Sequence, residues 1–152
     1  MSTEKSFHEM METIYELSRH ISSYESIPRK YGTDDDLFMV EAHTINLIGD
    51  KIQTNISELS RLTNKTKGAL SQMVDRLIKK DMLTKTKNPL DNREVIIQLT
   101  NKGKIVYDFH KELDKVNYRE LLKGLEQFNE EDFIKYEKIS SILLGLMQEN
   151  TK

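Results

Sequence analysis

The stretch that decides the fold is residues 69–104, ALSQMVDRLIKKDMLTKTKNPLDNREVIIQLTNKGK. It begins with apolar residues at three- and four-residue spacing, which is typical of one face of a helix. After Asp81 the pattern changes. Two runs rich in β-branched residues, 82–87 and 93–100, flank the turn-forming sequence NPLDN at 88–92. The stretch therefore predicts a helix followed directly by a two-stranded hairpin, with Asp91 and Arg93 at its tip.

A second, shorter helix is predicted just before this stretch. Asn55 is followed three residues later by Glu58, the spacing of a capping box. TNKT at 63–66 interrupts the pattern, and Thr66 can cap the longer helix. Two helices joined by a tight turn make a helix-turn-helix, and a helix-turn-helix followed by a hairpin is a winged helix.

Four further helices are predicted from apolar residues at helical spacing, at about 4–26, 36–49, 101–125 and from 129 onwards. Pro28 ends the first of them. The acidic end of YGTDDD (31–36) is expected at the N-terminus of the second, where the helix dipole favours negative charge. Thr100 and Asn129 are the expected caps of the last two. The fold class is mainly α with a small β-hairpin.

The first and last helices carry apolar stripes that need to be buried. A winged helix offers them little surface, so we expect burial in a two-fold homodimer. The alternative is that the two helices pack on each other within one chain. The predicted domain organisation is a winged-helix DNA-binding domain at 36–100, with dimerisation helices at 1–35 and 101–152.

Composition excludes several classes of protein. The 152 residues contain no cysteine, so there is no disulfide framework, thiolate metal site or cysteine nucleophile. The charged, amphipathic N-terminus lacks the apolar core of a signal peptide, and no apolar run approaches the eighteen residues of a membrane span. A soluble, cytoplasmic protein with no membrane partner is expected.

Charge is distributed unevenly along the chain. Residues 51–104 contain twelve Lys or Arg and five Asp or Glu, a balance of +7, and the remainder carries −9. A basic middle between acidic arms is typical of a module that binds a polyanion, although an uneven surface alone would give the same numbers. Because no phosphate loop, nucleophile arrangement or carboxylate pair stands out, we do not expect an enzyme. A protein-interaction adaptor is a third class, and the basic middle argues against it.

The order of motifs points to a family. VDRL-KK-ML leads into D-R and then LT-KG, and in this the chain resembles, over essentially its whole length, the MarR (multiple antibiotic resistance regulator) family of bacterial transcription factors. The resemblance implies an obligate homodimer with its interface on the N- and C-terminal helices. VEAHTINLIGD (40–50) and NKGKIVYDFHKELD (101–114) are also similar to the family's fatty-acid-biosynthesis repressors. Thr63 and Lys65 replace apolar residues and Asp81 replaces a glycine, which affects turn geometry and base preference.

The recognition helix, residues 66–80, is expected in the major groove of DNA. Polar residues near its start face outward, and Gln72 can pair bidentately with adenine. Gly68 permits close approach, and Arg76 and Lys79 lie farther along, within reach of phosphate. The predicted contacts on this helix are Thr66, Lys67, Gly68, Ser71, Gln72 and Arg76. The alternative is an ordinary solvated helix face.

The wing, residues 85–95, adds Lys85, Lys87 and Arg93. Arg93 is expected in the minor groove, where A·T tracts concentrate negative potential. Asp91 can hold its guanidinium by a bidentate pair, which reduces the entropy lost on insertion. In the family this is the Asp–Arg of the wing. The alternative is a surface ion pair worth about 0–1 kcal/mol.

The histidines are the remaining candidates for a site. In zinc-sensing members of the family, comparable positions bind metal, and the set here is Glu25, His43, His110 and Asp114. The alternative is a pair of partly buried, hydrogen-bonded histidines, with no cofactor required. A pocket for a small-molecule or acyl-type effector is expected among Phe38, His43, Phe109, His110 and Leu113. Together these features predict a homodimeric repressor that reads a pseudo-palindromic operator and responds to a small ligand.

Overall fold

The computed structural model describes residues 2–150 and confirms a mainly helical fold with a small antiparallel hairpin. It also contains a second small hairpin that the sequence did not predict. In chain order the elements are α1 (Thr3–Glu25), β1 (Arg29–Lys30), β2 (Asp36–Leu37), α2 (Met39–Lys51), α3 (Ile56–Thr63), α4 (Lys67–Lys79), β3 (Leu83–Lys87), β4 (Val95–Leu99), α5 (Asn101–Lys123) and α6 (Glu130–Glu149). The chain forms two compact units, which divide between Glu112 and Leu113. None of the described helices is both long and apolar enough to span a membrane.

The core of the first unit lies in the winged helix. The apolar stripe of α4 is buried against α2, α3 and the hairpin, as its spacing predicts, while the rest of that helix faces outward. The core residues with no exposed surface include Leu37, Ile45, Ile48, Leu59, Leu70, Val74, Leu77, Met82 and Ile97. Their burial fixes the recognition helix in place, because apolar area removed from water dominates the stability of a small domain.

The four predicted helix caps are confirmed, and that of Thr100 lies at the start of α5. Asn55 Oδ1 accepts the backbone N–H of Glu58 at 2.8 Å, and Thr66 Oγ1 accepts that of Ala69 at 3.2 Å. Asn129 Oδ1 accepts two backbone N–H groups at the start of α6, while the side chain of Asp132 accepts the Asn129 N–H. Each cap satisfies a donor that a helix end would otherwise leave unpaired.

The sequence LT-KG joins the wing to α5 through a close backbone contact. Thr100 Oγ1 accepts the Gly103 N–H at 3.0 Å and donates to the Asp81 carbonyl at 2.6 Å. Gly103 is buried, and a Cβ at this position would lie 2.1 Å from the Met82 carbonyl oxygen. Only glycine therefore lets α5 approach the start of β3 this closely.

The prediction for residues 31–36 was wrong in two respects. Asp36 lies in β2, which pairs with β1, and α2 begins only at Met39. The start of α2 is capped by Glu41, whose carboxylate accepts the Phe38 N–H at 3.0 Å. Asp35 instead forms a hydrogen-bonded ion pair with Lys102. The hydrogen bond from Lys102 lowers the pKa of the Asp35 carboxyl group from its ordinary 3.8. Asp35 and Asp36 thus contact other elements of the fold, while α2 is capped by its own residue Glu41.

The departures from the family pattern are accommodated by left-handed residues. Asn64 ends α3 at φ 54°, and Ser60 Oγ donates to the Lys65 carbonyl across the same turn. Asp81 follows α4 at φ 59°, in the conformation that glycine adopts without strain. The helix-turn-helix geometry is therefore kept although the usual residues are absent.

Neither α1 nor α6 contains a buried residue. Large apolar side chains on both helices are about half exposed, including Phe7, Leu17 and Ile21 on α1 and Ile139, Ile142 and Leu146 on α6. The stripes that the sequence predicts are thus present on both helices.

Candidate nucleic-acid interface

The outer face of α4 carries the residues predicted to read the major groove. Lys67, Gly68, Gln72 and Arg76 are exposed, Ser71 is half-buried, and the hydroxyl of the exposed Thr66 caps the helix. No atom within 4 Å would meet a Cβ built on Gly68, so the start of the helix is open to close approach. This face offers donors and acceptors on a rigid helix, the arrangement that major-groove recognition requires.

A buried carboxylate holds the far end of α4. Glu41 is almost fully buried, and its carboxylate lies 3.7 Å from Arg76 Nε and 3.5 Å from Lys80 Nζ. Lys80 Nζ also donates to the Asp36 carbonyl at 2.9 Å. A buried charge needs such partners to offset its desolvation. Arg76, predicted as a free phosphate contact, is thus anchored at one edge of its guanidinium and remains about half exposed.

An ion pair between Lys85 and Asp75, which was not predicted from the sequence, connects the wing to α4. β3 and β4 pair from Leu83 opposite Leu99 to Lys87 opposite Val95. Lys85 Nζ on β3 lies 2.5 Å from the carboxylate of Asp75 on α4. The predicted DNA contact Lys85 is therefore already paired, whereas Lys67, Lys79 and Lys87 form no ion pair within the described part of the chain.

A second set of contacts ties the wing to the start of α3. Thr54 forms a backbone bridge with Ile97, which adds a third extended segment to the edge of the hairpin. The Glu94 carboxylate accepts one hydrogen bond from the Asn55 amide and another from the Asn88 amide, each at 2.5 Å. These bonds fix the base of the wing on the helix-turn-helix.

The tip of the wing corrects the prediction for Asp91. Its carboxylate accepts the backbone N–H of Arg93 at 3.0 Å, and the Asp91 carbonyl accepts the Glu94 N–H. Residues 2–150 show no ion pair between Asp91 and the Arg93 guanidinium. The reason is local geometry: an Asp two residues before an N–H closes an Asx turn on its own backbone. Asp91 shapes the turn, and the Arg93 side chain is left exposed.

An open cavity of about 470 Å³ separates the wing from the start of α3. It is lined by Asn55, Ile56, Ser57, Asp91, Arg93, Glu94 and Val95. Arg93 and the first residues of α3 therefore border the same open cavity.

Comparison with known proteins agrees with this geometry. The model of the MarR family matches residues 37–95, from the end of β2 to the start of β4. The matched segment, which contains α2, α3, α4 and β3, is thus similar to the MarR family. Two Bacillus subtilis regulators are similar to this chain. The uncharacterised HTH-type transcriptional regulator YhjH is 24% identical over 110 residues, and the HTH-type transcriptional regulator PchR is 27% identical over 94.

These alignments cover 72% and 62% of this chain, and 63% and 56% of YhjH and PchR respectively. The chain thus spans less than two thirds of the length of either regulator.

Solved structures share the MarR fold. FabT of Streptococcus pneumoniae, crystallised in complex with DNA, superposes with a TM-score of 0.69 at 22% identity, covering 96% of this chain and 98% of FabT. ZitR of Lactococcus lactis, a zinc-responsive MarR family member, gives 0.66 at 14% identity, covering 96% of this chain and 99% of ZitR. At these identities the likeness concerns the fold alone.

Two of the residues predicted to bind metal form a ring cluster. The His110 ring is buried, stacks on Tyr31 at 5.4 Å between ring centroids and meets the edge of the His43 ring at 5.0 Å. The Asn46 amide lies 2.9 Å from His110 Nδ1. His110 thus fits the hydrogen-bonded alternative that the sequence left open, whereas His43 is exposed and contacts it only through its ring.

The metal set of Glu25, His43, His110 and Asp114 is not assembled. No group of three or more His, Cys, Asp or Glu side chains among residues 2–150 is placed to hold a metal ion. Zinc chemistry needs three or four such donors at about 2 Å from one ion. Asp114 belongs to the second compact unit, and His110 Nδ1 is engaged with Asn46.

The residues predicted to line an effector pocket differ in exposure: His110 is buried and His43 is exposed. Phe38 and Phe109 are each nearly half exposed, and Leu113 belongs to the second unit. An open cavity of about 450 Å³ occurs elsewhere in the first unit, lined by Gly49, Ile52, Gln98, Leu99, Lys104, Tyr107 and Asp108. Beside it, the Lys111 ammonium hydrogen-bonds Asp50 and lowers the pKa of that carboxyl group.

Four residues that shape the interface were not singled out from the sequence: Glu41, Asp75, Asn88 and Glu94. Glu41 had a detectable signal, since a Glu three residues after a helix cap is the second half of a capping box. The partners of Asp75 and Glu94 lie 10 and 39 residues away in the chain, and a single sequence carries no pairing signal over such distances.

Proposed function

We propose that this protein is a homodimeric, sequence-specific DNA-binding regulator of transcription and not an enzyme. In this proposal α4 lies in the major groove and the wing reaches the adjacent minor groove. The observation that carries it is the exposed polar face of α4 together with the Arg93 side chain, which forms no ion pair among residues 2–150, on a wing anchored at both α3 and α4. Because it acts on the chromosome, we place it in the cytoplasm of a bacterial cell.

The dimer is proposed from the uncovered stripes of α1 and α6. Stripes of half-exposed Phe, Leu and Ile are unfavourable in water, and a second copy of the chain would bury them isologously. The dimerisation segments are those predicted, 1–35 and 101–152. Two recognition helices would then read a pseudo-palindromic operator whose half-sites lie about one helical turn apart.

Repression by occupancy of a promoter operator is the proposed mode of action, with release by a small ligand. A ligand can act only if it binds the non-operator arrangement of the two lobes more tightly. Relatives that bind DNA, as FabT does in its crystal, support the DNA part of this proposal.

The proposal is tested by titrating labelled duplexes with the protein and following fluorescence anisotropy at several salt concentrations. One duplex is a site selected from random DNA and the other is a scrambled control. We expect the selected site to bind at least about a hundredfold more tightly, and affinity for both to fall steeply with salt.

Gln72→Ala is expected to weaken binding to the selected site by about tenfold, because an adenine pair made by two hydrogen bonds is worth about 1–3 kcal/mol. Gln127→Ala, at an exposed position between α5 and α6, is the matched control and should bind like the wild type. Equal, salt-insensitive affinity for both duplexes would overturn the proposal and favour a protein-interaction adaptor.

A further inference from the structure

We propose that Leu90 makes the wing discriminate against G·C base pairs in the minor groove. This inference rests on the proposed function, because it assigns a sequence preference to the same DNA interface. It concerns a side chain that neither the fold nor the predicted contacts account for.

Leu90 is the most exposed large apolar side chain that the structure describes, at 96%. It lies in the turn of the wing between Asn88 and Arg93. Leu90 at this loop tip contributes nothing to the core and is accessible to a partner. The exposed position also means that replacing it leaves the fold intact.

The turn holds Leu90 in place. Asn88 Oδ1 accepts the Leu90 N–H at 2.9 Å, and the Asn88 carbonyl accepts the Asp91 N–H at 3.3 Å. The Asn88 amide is in turn bound to Glu94, and Pro89 restricts the backbone before Leu90. Because the backbone at Leu90 is already ordered, less conformational entropy is lost when the turn contacts a partner, which favours binding.

The charges around Leu90 select DNA as that partner. The wing carries Lys87 and Arg93 without an ion pair in the described residues, and both flank the turn. An apolar protein surface would leave these cations desolvated, whereas the sugar walls of a DNA groove are apolar and are bordered by phosphates. The turn is also continuous with the proposed DNA-binding face.

The minor groove gives this contact a sequence preference. Adenine and thymine present only acceptors there, while guanine adds its N2 amino donor. Leucine has no acceptor, so a guanine amino group covered by Leu90 would lose water without gaining a hydrogen bond. Arg93 can donate to the acceptors of A·T pairs but cannot accept from guanine. Leu90 therefore adds a penalty at G·C positions that does not depend on charge.

Inosine provides the direct test, because an I·C pair is a G·C pair that lacks the N2 amino group. The probe is a duplex carrying the site selected by the wild-type protein from random DNA, with the base pairs under the wing changed to A·T, I·C or G·C. Anisotropy titrations compare the wild type with Leu90→Asn, whose amide oxygen can accept from guanine. Arg93 is retained in both proteins.

We expect the wild type to bind the G·C duplex about tenfold more weakly than the I·C duplex, the cost of one unsatisfied donor. In Leu90→Asn the ratio should fall to about threefold or less, since the donor gains a partner. The matched control is Ile52→Asn, because Ile52 is an exposed aliphatic residue outside the wing. It should keep the wild-type ratio.

An unchanged ratio in Leu90→Asn, or no difference between G·C and I·C for the wild type, would overturn the inference while leaving DNA binding established. If the wild type binds none of the duplexes, the proposed function fails and this inference falls with it. Self-association of the wild type that disappears in Leu90→Asn would identify a second copy of the chain as the partner and would also overturn the inference.

Discussion

At the scale of single residues, Asp91 acts on the wing through the backbone. Its carboxylate accepts the Arg93 N–H, so the turn needs an acceptor at this position and does not need a charge. We predict that Asp91→Asn keeps DNA affinity within about twofold, while Asp91→Ala weakens it by about five- to tenfold, the value of one hydrogen bond.

Anisotropy titrations and thermal melts test this prediction for Asp91. The melting temperature should stay within about 2 °C in both variants, because the residue is exposed. Equal loss of affinity in the two variants would show that the negative charge is what matters, which would restore the guanidinium pair predicted from the sequence.

Gly103 is predicted to be the glycine whose replacement costs the winged helix most. An added Cβ would meet the Met82 carbonyl oxygen at 2.1 Å, and backbone on both sides must move to relieve that contact. Gly103→Ala should lower the free energy of unfolding by about 3 kcal/mol or more. Urea denaturation measures it.

Gly68→Ala is the matched control for Gly103→Ala, since nothing lies within 4 Å of the new methyl group and alanine favours the helix. Its unfolding free energy should not fall. A similar loss in both variants would contradict the close approach of α5 to β3.

Some of the side-chain contacts could be predicted from the sequence and others could not. Asn55, Thr66 and Asn129 were identified as caps because capping uses neighbours within three residues. The partner of Arg76 could not be identified, because Glu41 is 35 positions earlier and the two meet only after α2 and α4 have packed. Contacts between residues close in the chain, such as helix caps, can be predicted from one sequence. Ion pairs between distant elements cannot.

At the scale of elements, the wing and the recognition helix are coupled by Lys85 and Asp75. Both side chains are partly exposed, so the ion pair contributes little to stability. Its main effect is to neutralise the positive charge of Lys85. Asp75→Asn would free Lys85 for phosphate and remove a negative charge from α4. We predict tighter binding to random duplex DNA and a salt slope steeper by about one.

The matched control for Asp75→Asn is Asp108→Asn, which removes an exposed carboxylate from α5 and changes the net charge equally. Anisotropy at three salt concentrations gives both slopes. If the two variants behave alike, the effect is one of net charge and Lys85 is not the residue released.

Two short strands account for the element-level error. β1 and β2 have two residues each, too few to establish an alternating pattern, and the acidic residues before α2 match a helix start equally well. By contrast, β3 and β4 have five residues each and flank a turn whose residues are typical of turns. The wing was therefore identified correctly.

At the scale of the whole molecule, the proposed dimer rests on the half-exposed apolar stripes of α1 and α6. We predict that the wild type sediments as a dimer and that Ile142→Glu shifts it toward monomer, because a charge in a buried apolar interface is costly. DNA affinity should fall at the same time, since two half-sites are no longer bound together.

Lys138→Glu, at an exposed polar position of α6, is the control for Ile142→Glu and should remain dimeric. Analytical ultracentrifugation and circular dichroism measure assembly and helix content together. A wild type that sediments as a monomer at micromolar concentration would contradict the proposed dimer.

The uneven charge of the chain fits the same arrangement. The +7 balance of residues 51–104 covers α3, α4 and the wing, while the acidic remainder includes α1 and α6. A basic face would thus meet DNA while acidic helices stay clear of the phosphates, which favours one orientation of encounter.

The most direct test of the central claim is dimethyl sulfate footprinting of the selected duplex, because the reagent modifies guanine N7 in the major groove and adenine N3 in the minor groove. We predict two patches of protected guanine N7 about 10 base pairs apart, flanked by protected adenine N3. Arg93→Ala should remove only the flanking protection. A single protected patch, or adenine protection that survives in Arg93→Ala, would contradict the placement of α4 and the wing.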